Sequence, residues 1–423
     1  MEEKIGKVIL DTTCYPGKDL YSDGAIEDEM LAISRDFAPE EFNRVISERK
    51  SWPILYHFSH IRENILSWIP FTGEEKVLEI GSGCGAVTGA LCERAKEVTC
   101  IELSMKRSKI NAYRHQDQDN LKILVGNFQE IEKNLTEKYD YITLIGVFEY
   151  GESYIRSENP YVDFLRIISK HLKPDGKIIL AIENRLGLKY FAGAPEDHTD
   201  LHFFGINGYP GNQSVRTFSK NELGELLENS GFPFLHFYYP YPDYKFPTEI
   251  FTDESLYTNS YGRSYPVYTD KTADLFAESE GVKAFEKEKI LDSFVNSFLV
   301  EAGRTENQDP EEILYVKLNQ ERKEKFRLLT RIVRENGEVR AEKEAMVPQA
   351  EEFVEKLEKT GTKSTGSDKY KNLPCRAENG KISYPLLTGK TLHQEIAELA
   401  QKEDLEEIKA LLKKFYQEFF GAR

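Results

Sequence analysis

The feature that most constrains this chain is the run KVLEIGSGCGAVTGALCERA, which starts at Lys76. It reads as a short apolar strand, a turn carrying Gly81, Gly83 and Gly85, and a helix. Glycine at such a turn lets the backbone bend sharply and lets a ligand touch the main chain. The helix start beyond it offers unpaired N–H groups. Further strands follow at 98–103 (VTCIEL), 121–125 (LKILV), 139–146 (YDYITLIG) and 177–182 (KIILAI). The stretch 161–173 between the last two is an amphipathic helix, stopped by Pro174-Asp175-Gly176. This alternation predicts an α/β fold: a doubly wound, mostly parallel sheet with both faces covered. Ser219 and Glu222 form a capping box for a later helix, and a late strand is expected near 234–239.

A chain of 423 residues is too long for one ordinary domain. The pattern suggests a cap or arm over 1–52, the α/β domain over 53–247, a connecting segment over 248–300 and a smaller α+β domain over 301–423. The stretch 360–372 reads as flexible. The formal net charge of −16 argues against non-specific nucleic-acid binding, which needs dense Lys and Arg. Five cysteines, an odd number with no Cys-x-x-Cys pair, suggest a reduced, cytoplasmic protein rather than a disulfide framework. No signal peptide or transmembrane run is visible, and no metal site is expected.

Gly81, Gly83 and Ala86 also satisfy the looser dinucleotide pattern G-x-G-x-x-A. Glu79 separates the readings. A carboxylate two residues before the first glycine suits a positively charged ligand, not a pyrophosphate. Glu102 ends the next strand, where an acid binds ribose hydroxyls in either case.

These stations resemble the class I S-adenosylmethionine-dependent methyltransferases over residues 55–245, with a seven-stranded sheet. The resemblance implies S-adenosylmethionine as cofactor. It implies that Glu79, Gly81, Ser82, Gly83 and Gly85 approach the methionine part, and that Glu102, with Leu103 beside it, holds the ribose. Asn127 stands where an Asp or Asn meets the adenine, and Phe128 packs on the ring; Asn keeps an acceptor but drops the charge of the commoner Asp. Gly146 through Glu149 matches the segment lining the methyl-transfer pocket, which makes Glu149 a catalytic candidate.

Other catalytic candidates follow the fifth strand: Glu183, Asn184, Arg185, then Glu196-Asp197-His198. His198 suits a general base because its ordinary pKa is near neutrality. Arg185 suits an anionic acceptor. The plainer alternatives are a loop-shaping Asn184-Arg185 and a surface His198. On the helix before the first strand, Arg62 could meet the methionine carboxylate. Tyr238 to Tyr244 could stack on sugar rings, or simply pack. The wording ENRLGLKYFAGAPEDHT, YSDGAIEDEML and YYPYPDYKFP is similar to methyltransferases of bacterial cell-surface polysaccharide systems. That narrower resemblance implies a small-molecule or glycan acceptor, O-methylation of a sugar or sugar phosphate, and other polysaccharide-synthesis proteins as partners. A nicotinamide-dependent oxidoreductase and a non-catalytic cofactor-binding scaffold are the alternatives.

The C-terminal order of three strands, a helix, two strands and a helix resembles the small lobe of a protein kinase. Lys343 would be the strand lysine, with Glu351, Glu352 or Glu355 its helix partner. The turn 319–325 has no glycine, and the chain holds no later catalytic segment, so a complete kinase is not expected.

Overall fold

The computed structural model describes residues 2–19, 21–155, 157–211, 214–257, 272–273, 275–306, 310–318, 322–361, 375–378, 381–386 and 389–420. Most of the stretch expected to be flexible, 362–372, lies outside the described residues. The chain divides into two compact units, 1–309 and 310–423.

The strands of the first unit are β1 (Glu2–Ile5), β2 (Val8–Asp11), β3 (Lys76–Ile80), β4 (Glu97–Glu102), β5 (Leu121–Val125), β6 (Tyr139–Ile145), β7 (Leu172–Glu183), β8 (Phe234–Tyr241), β9 (Glu249–Thr252) and β10 (Ser297–Gly303). They lie in the order β1-β2-β5-β4-β3-β6-β7-β10-β8-β9. The run from β2 to β7 is parallel. β10 is antiparallel to both β7 and β8. The apolar runs of β3, β4 and β7 are buried because helices cover both faces of a parallel sheet. From β3 the chain winds first to β4 and β5, then back across to β6 and β7. This reversal opens a crevice at the carboxyl ends of β3, β4 and β6, where folds of this kind bind ligands.

The structure corrects the expected boundaries in two places. The start of the chain is not a loose arm: β2 pairs in parallel with β5 and extends the sheet. Met30, Ile33, Phe42, Val45, Ile54 and Phe58 then pack around Cys84 of the glycine turn and Ile110. The segment 248–300 does not merely connect, since β10 inserts between β7 and β8. The helix expected before the first strand breaks at Ser59, whose side chain caps a second short helical piece, His60–Ile65.

In the second unit β11 (Glu311–Leu318), β12 (Leu328–Glu335), β13 (Glu338–Ala345), β14 (Arg376–Glu378) and β15 (Lys381–Pro385) run antiparallel in the order β11-β12-β13-β15-β14. The helix Glu351–Gly361 follows β13 and packs Val354 with Leu328, Ala350, Cys375 and Ile382. Glu351, Glu352 and Glu355 are exposed, and no ion pair joins them to Lys343 among the described residues, so the expected lysine–glutamate pair is not formed. No helix among the described residues is long and apolar enough to cross a membrane.

Candidate active site

The glycine turn needs its glycines. Gly81, Gly83 and Gly85 have φ of 71°, 54° and 75°, the left-handed region that side chains disfavour. A Cβ on Gly81 would stand 2.5 Å from Val147 Cγ2, and one on Gly85 2.3 Å from Asn111 Oδ1. Gly83 faces open space instead. Its N–H donates to Glu102 Oε2 at 2.8 Å, and the Ser104 N–H donates to Oε1 at 2.9 Å. The Glu102 carboxylate thus ties the turn to the end of β4 and keeps further lone pairs for hydroxyl donors.

Glu79 sits beneath the turn. It is 3% exposed, and its Oε2 accepts from Thr88 Oγ1 at 2.7 Å and from Cys100 Sγ at 3.2 Å. Burial pushes its pKa up to about 7. The sequence reading had this carboxylate facing a cationic ligand; in the structure its Oε2 fastens β3, β4 and the next helix together.

Ile101, Glu102, Leu103, Gly126, Phe128, Val147, Tyr154 and Phe164 line a narrow cleft. Phe128 meets Phe164 edge to face at 5.3 Å. Asn127 is half-buried, and its Oδ1 accepts from the Gln129 N–H at 2.8 Å. Two observations test whether an adenosyl group fits. The cleft joins apolar and aromatic walls to one carboxylate, the chemistry of a nucleoside site. Beside it, the Ser82 Oγ is buried without a partner, a donor held for something else. The residues present therefore fit S-adenosylmethionine.

The N-terminal segment closes over this region. Asp19 Oδ1 accepts from the Met105 N–H at 2.6 Å, at the start of the helix that follows Glu102. Asp23 and Glu27 both pair with Arg107 of that helix. Arg114 Nη1 donates to Cys84 O at 2.8 Å.

A second cluster lies past the ends of β6 and β7. Glu149 is 2% exposed and Glu183 is fully buried. His198 Nε2 stands 3.7 Å from Glu149 Oε1, and its Nδ1 is 2.9 Å from Glu196 Oε1. Glu183 Oε1 takes Lys245 Nζ at 2.5 Å and the Tyr244 hydroxyl at 3.3 Å. Lys245 also pairs with Asp197, which pairs with Lys189. Glu149 Oε2 and Glu183 Oε2 are buried with no partner. The backbone joins this cluster to the cleft: Val147 and Tyr154 line the cleft, and the Tyr150 ring meets His198 at 5.7 Å.

Burial pushes the His198 pKa down, but the carboxylates of Glu149, Glu196 and Glu183 outweigh it and hold the pKa well above its ordinary value. Both ring nitrogens thus face carboxylates, Nδ1 that of Glu196 and Nε2 that of Glu149, a different setting from the free imidazole expected of a general base. Arg185 is also differently employed. Nε and Nη2 grip Glu222 at 2.6 and 3.0 Å, and Nη1 donates to Gly205 O at 3.2 Å. Glu222 is the capping-box residue and also accepts from the Ser219 N–H, so Arg185 shapes a loop. Asn184 does likewise, donating to Ser293 O and Val295 O. Tyr239, Tyr241 and Tyr244 are buried and form no sugar platform. Arg62 is 3% exposed, over the Tyr56 ring at 4.3 Å, with its Nε unpartnered. Lys245 and its role at Glu183 were missed; one lysine in an aromatic run carries no spacing signal.

A switch-point crevice with a ribose-suited acid and a glycine turn defines a nucleoside-binding Rossmann-like domain. Known proteins narrow this. Residues 56–236 match the family model described as a methyltransferase domain. A ribosomal RNA small subunit methyltransferase A of Borreliella burgdorferi is 32% identical over 100 residues, which cover 23% of this chain and 36% of that protein. An uncharacterized methyltransferase of Staphylococcus carnosus is 26% identical over 153 residues, covering 36% and 67%. Among solved structures, a SAM-dependent methyltransferase from Archaeoglobus fulgidus aligns with TM-score 0.38 and 14% identity, over 60% of this chain and all of that one. Phosphoethanolamine N-methyltransferase 2 of Haemonchus contortus, in complex with S-adenosyl-L-methionine, aligns with TM-score 0.34 and 16% identity over 57% and 52%. The chain spans about a third of the length of the curated relatives it matches first. Residues 56–236 are thus similar to the family described as a methyltransferase domain.

Proposed function

We propose that the protein transfers a methyl group from S-adenosylmethionine to a hydroxyl of a sugar or sugar-phosphate acceptor, in the cytoplasm. The observation that carries this reading is the pairing of the aromatic-walled cleft at Glu102 with the buried acidic cluster beyond Val147. Glu102 receives the ribose hydroxyls, with Leu103 beside it and Gly126, Phe128 and Phe164 around the base. Asn127 keeps its amide nitrogen for the base, since its oxygen already caps Gln129. The backbone of Gly81 through Gly85, with Ser82 Oγ, faces the methionine part. Gly146 and Val147 shape the passage to the acceptor. S-adenosylmethionine supplies a methyl on a sulfonium: the acceptor oxygen–carbon bond forms as the sulfur–carbon bond breaks, the electron pair stays on sulfur, and the acceptor proton is left for the protein.

The protein's part is to orient the acceptor, exclude water and take that proton. Buried carboxylates with unpartnered oxygens, Glu149 and Glu183, suit a neutral hydroxyl that must lose a proton. They repel an acceptor that is already an anion at its reacting atom, so on a sugar phosphate the phosphate lies outside the cluster. Sugar specificity rests on the resemblance of 183–199 to polysaccharide-system methyltransferases, as does partnership with other proteins of such a system. The second unit, with its strand order and the helix Glu351–Gly361 directly after β13, is a docking module built like a kinase small lobe.

The test is incubation with methyl-labelled S-adenosylmethionine and a panel of nucleotide-linked glycans, lipid-linked glycans and structured RNA. Label on a glycan hydroxyl supports the reading. Label on RNA, the acceptor named for the Borreliella relative, overturns the acceptor class. No affinity for S-adenosylhomocysteine overturns the whole reading.

A further inference from the structure

We propose that Glu149, Glu183 and His198 form a site for a divalent cation of the Mn²⁺ or Mg²⁺ kind. The inference deepens the proposed function, and rests on it only in giving the cation the task of holding the acceptor hydroxyl; Glu149 and Glu183 would then serve as ligands, and the cation's charge would ease loss of the hydroxyl proton.

One ligand atom from each of the three residues lies within 4.8 Å of the others. Opposite ligands in an octahedral site with bonds near 2.1 Å stand about 4.2 Å apart, so small side-chain rotations close the gap. Glu149 and Glu183 are at least nine-tenths buried, and each has one oxygen, Oε2, without a partner. An unpaired buried carboxylate oxygen is costly and calls for a cation or a donor. At Glu183 the other oxygen is already held by Lys245 and Tyr244, which fixes the direction of Oε2.

His198 is arranged as a metal-binding histidine is. Its Nδ1 is fixed by Glu196 at 2.9 Å, while its Nε2 faces Glu149. A ligating imidazole commonly donates its second N–H to a carboxylate, which sets the tautomer and the ring plane. Glu196 is itself fixed, because its Oε2 accepts from the N–H groups of His198 and Thr199 at 2.9 and 2.8 Å. Charge points the same way. Along the linked network, four carboxylates (Glu149, Glu183, Glu196 and Asp197) meet two lysines (Lys189 and Lys245) and His198; a divalent ion that displaces the His198 proton balances the charge. Two carboxylates and one imidazole favour oxygen-seeking cations over thiolate-seeking ones. The cation would replace the proton on Nε2 and leave coordination positions for acceptor oxygens.

The experiment is titration of the intact chain with Mn²⁺ alone, followed by electron paramagnetic resonance. A saturable site with nitrogen coupling from an imidazole is expected. Glu149→Gln, Glu183→Gln and His198→Ala should each weaken Mn²⁺ binding at least tenfold, and Glu196→Gln about 10–100-fold, while S-adenosylhomocysteine still binds. No saturable site, no nitrogen coupling, or equal affinity in all four variants overturns the proposal. Where a variant loses S-adenosylhomocysteine binding as well, the nitrogen coupling in the native protein decides. The two readings fail separately: Mn²⁺ bound as described with no methyl transfer removes the function and keeps the site, and transfer that persists in a chelator removes the site and keeps the function.

Discussion

The two halves of the crevice are built on opposite principles. On the cofactor side the polar groups are largely spent on one another. Glu102 takes two backbone N–H groups and Glu79 takes Thr88 and Cys100. In the acidic cluster, on the proposed acceptor side, Glu149 and Glu183 keep buried oxygens with no partner. The first arrangement makes a rigid cradle in which a ligand meets preset geometry. The second stores unpaired charge, which is costly for folding and useful only if something arrives to use it.

The sharpest way to break this contrast is Glu149→Gln. Turnover should fall about 10²–10⁴-fold with S-adenosylhomocysteine affinity unchanged, measured by label transfer and calorimetry. An equal loss in both would merge the two halves into one site. Glu102→Gln should do the converse and weaken S-adenosylhomocysteine about 10–100-fold, since charge-assisted hydrogen bonds contribute about 1.5–3 kcal/mol.

Glu79 gives a pH signature on the cradle side. Burial raises its pKa to about 7, so the native state holds a proton that the unfolded chain has lost above pH ~4.5. Its contribution to stability is therefore largest at low pH and is lost as pH rises from about 4.5 through 7, by about 3 kcal/mol at most. Glu79→Gln should flatten the chemical-denaturation profile across that window, and an unchanged slope would show that Glu79 is ionised in the fold. The smallest effect belongs to Arg185→Ala, a loss of about 1–2 kcal/mol in denaturation midpoints with no change in acceptor KM. A raised KM would return Arg185 to the acceptor pocket.

Much of the cradle was legible because its parts are local. Lys76 to Gly85 is one continuous strand and turn, and Glu102 ends the very next strand. The closing strand β10 was not legible. It reaches its place between β7 and β8 only after a long excursion, and local patterning assigns Ser297–Gly303 to whatever follows. Arg185 misled because a guanidinium beside a site looks like an anion grip until its capping-box partner is seen. The aromatic run Tyr238–Tyr244 left two readings open, because a period-two strand and a sugar platform share one composition; burial of Tyr239, Tyr241 and Tyr244 favours packing. Glu149, Glu183 and His198 were each legible from their places after the fourth and fifth strands, but no spacing marks the three as one cluster. Parallel strands bring their carboxyl ends together whatever the length of chain between them.

The Asp19, Asp23 and Glu27 contacts with the helix after Glu102 have a thermodynamic corollary. Whatever orders the nucleoside cradle also holds down the first few dozen residues, and fraying of those residues opens the cradle. Cofactor occupancy and resistance of the amino terminus to proteolysis are then one equilibrium seen from two ends.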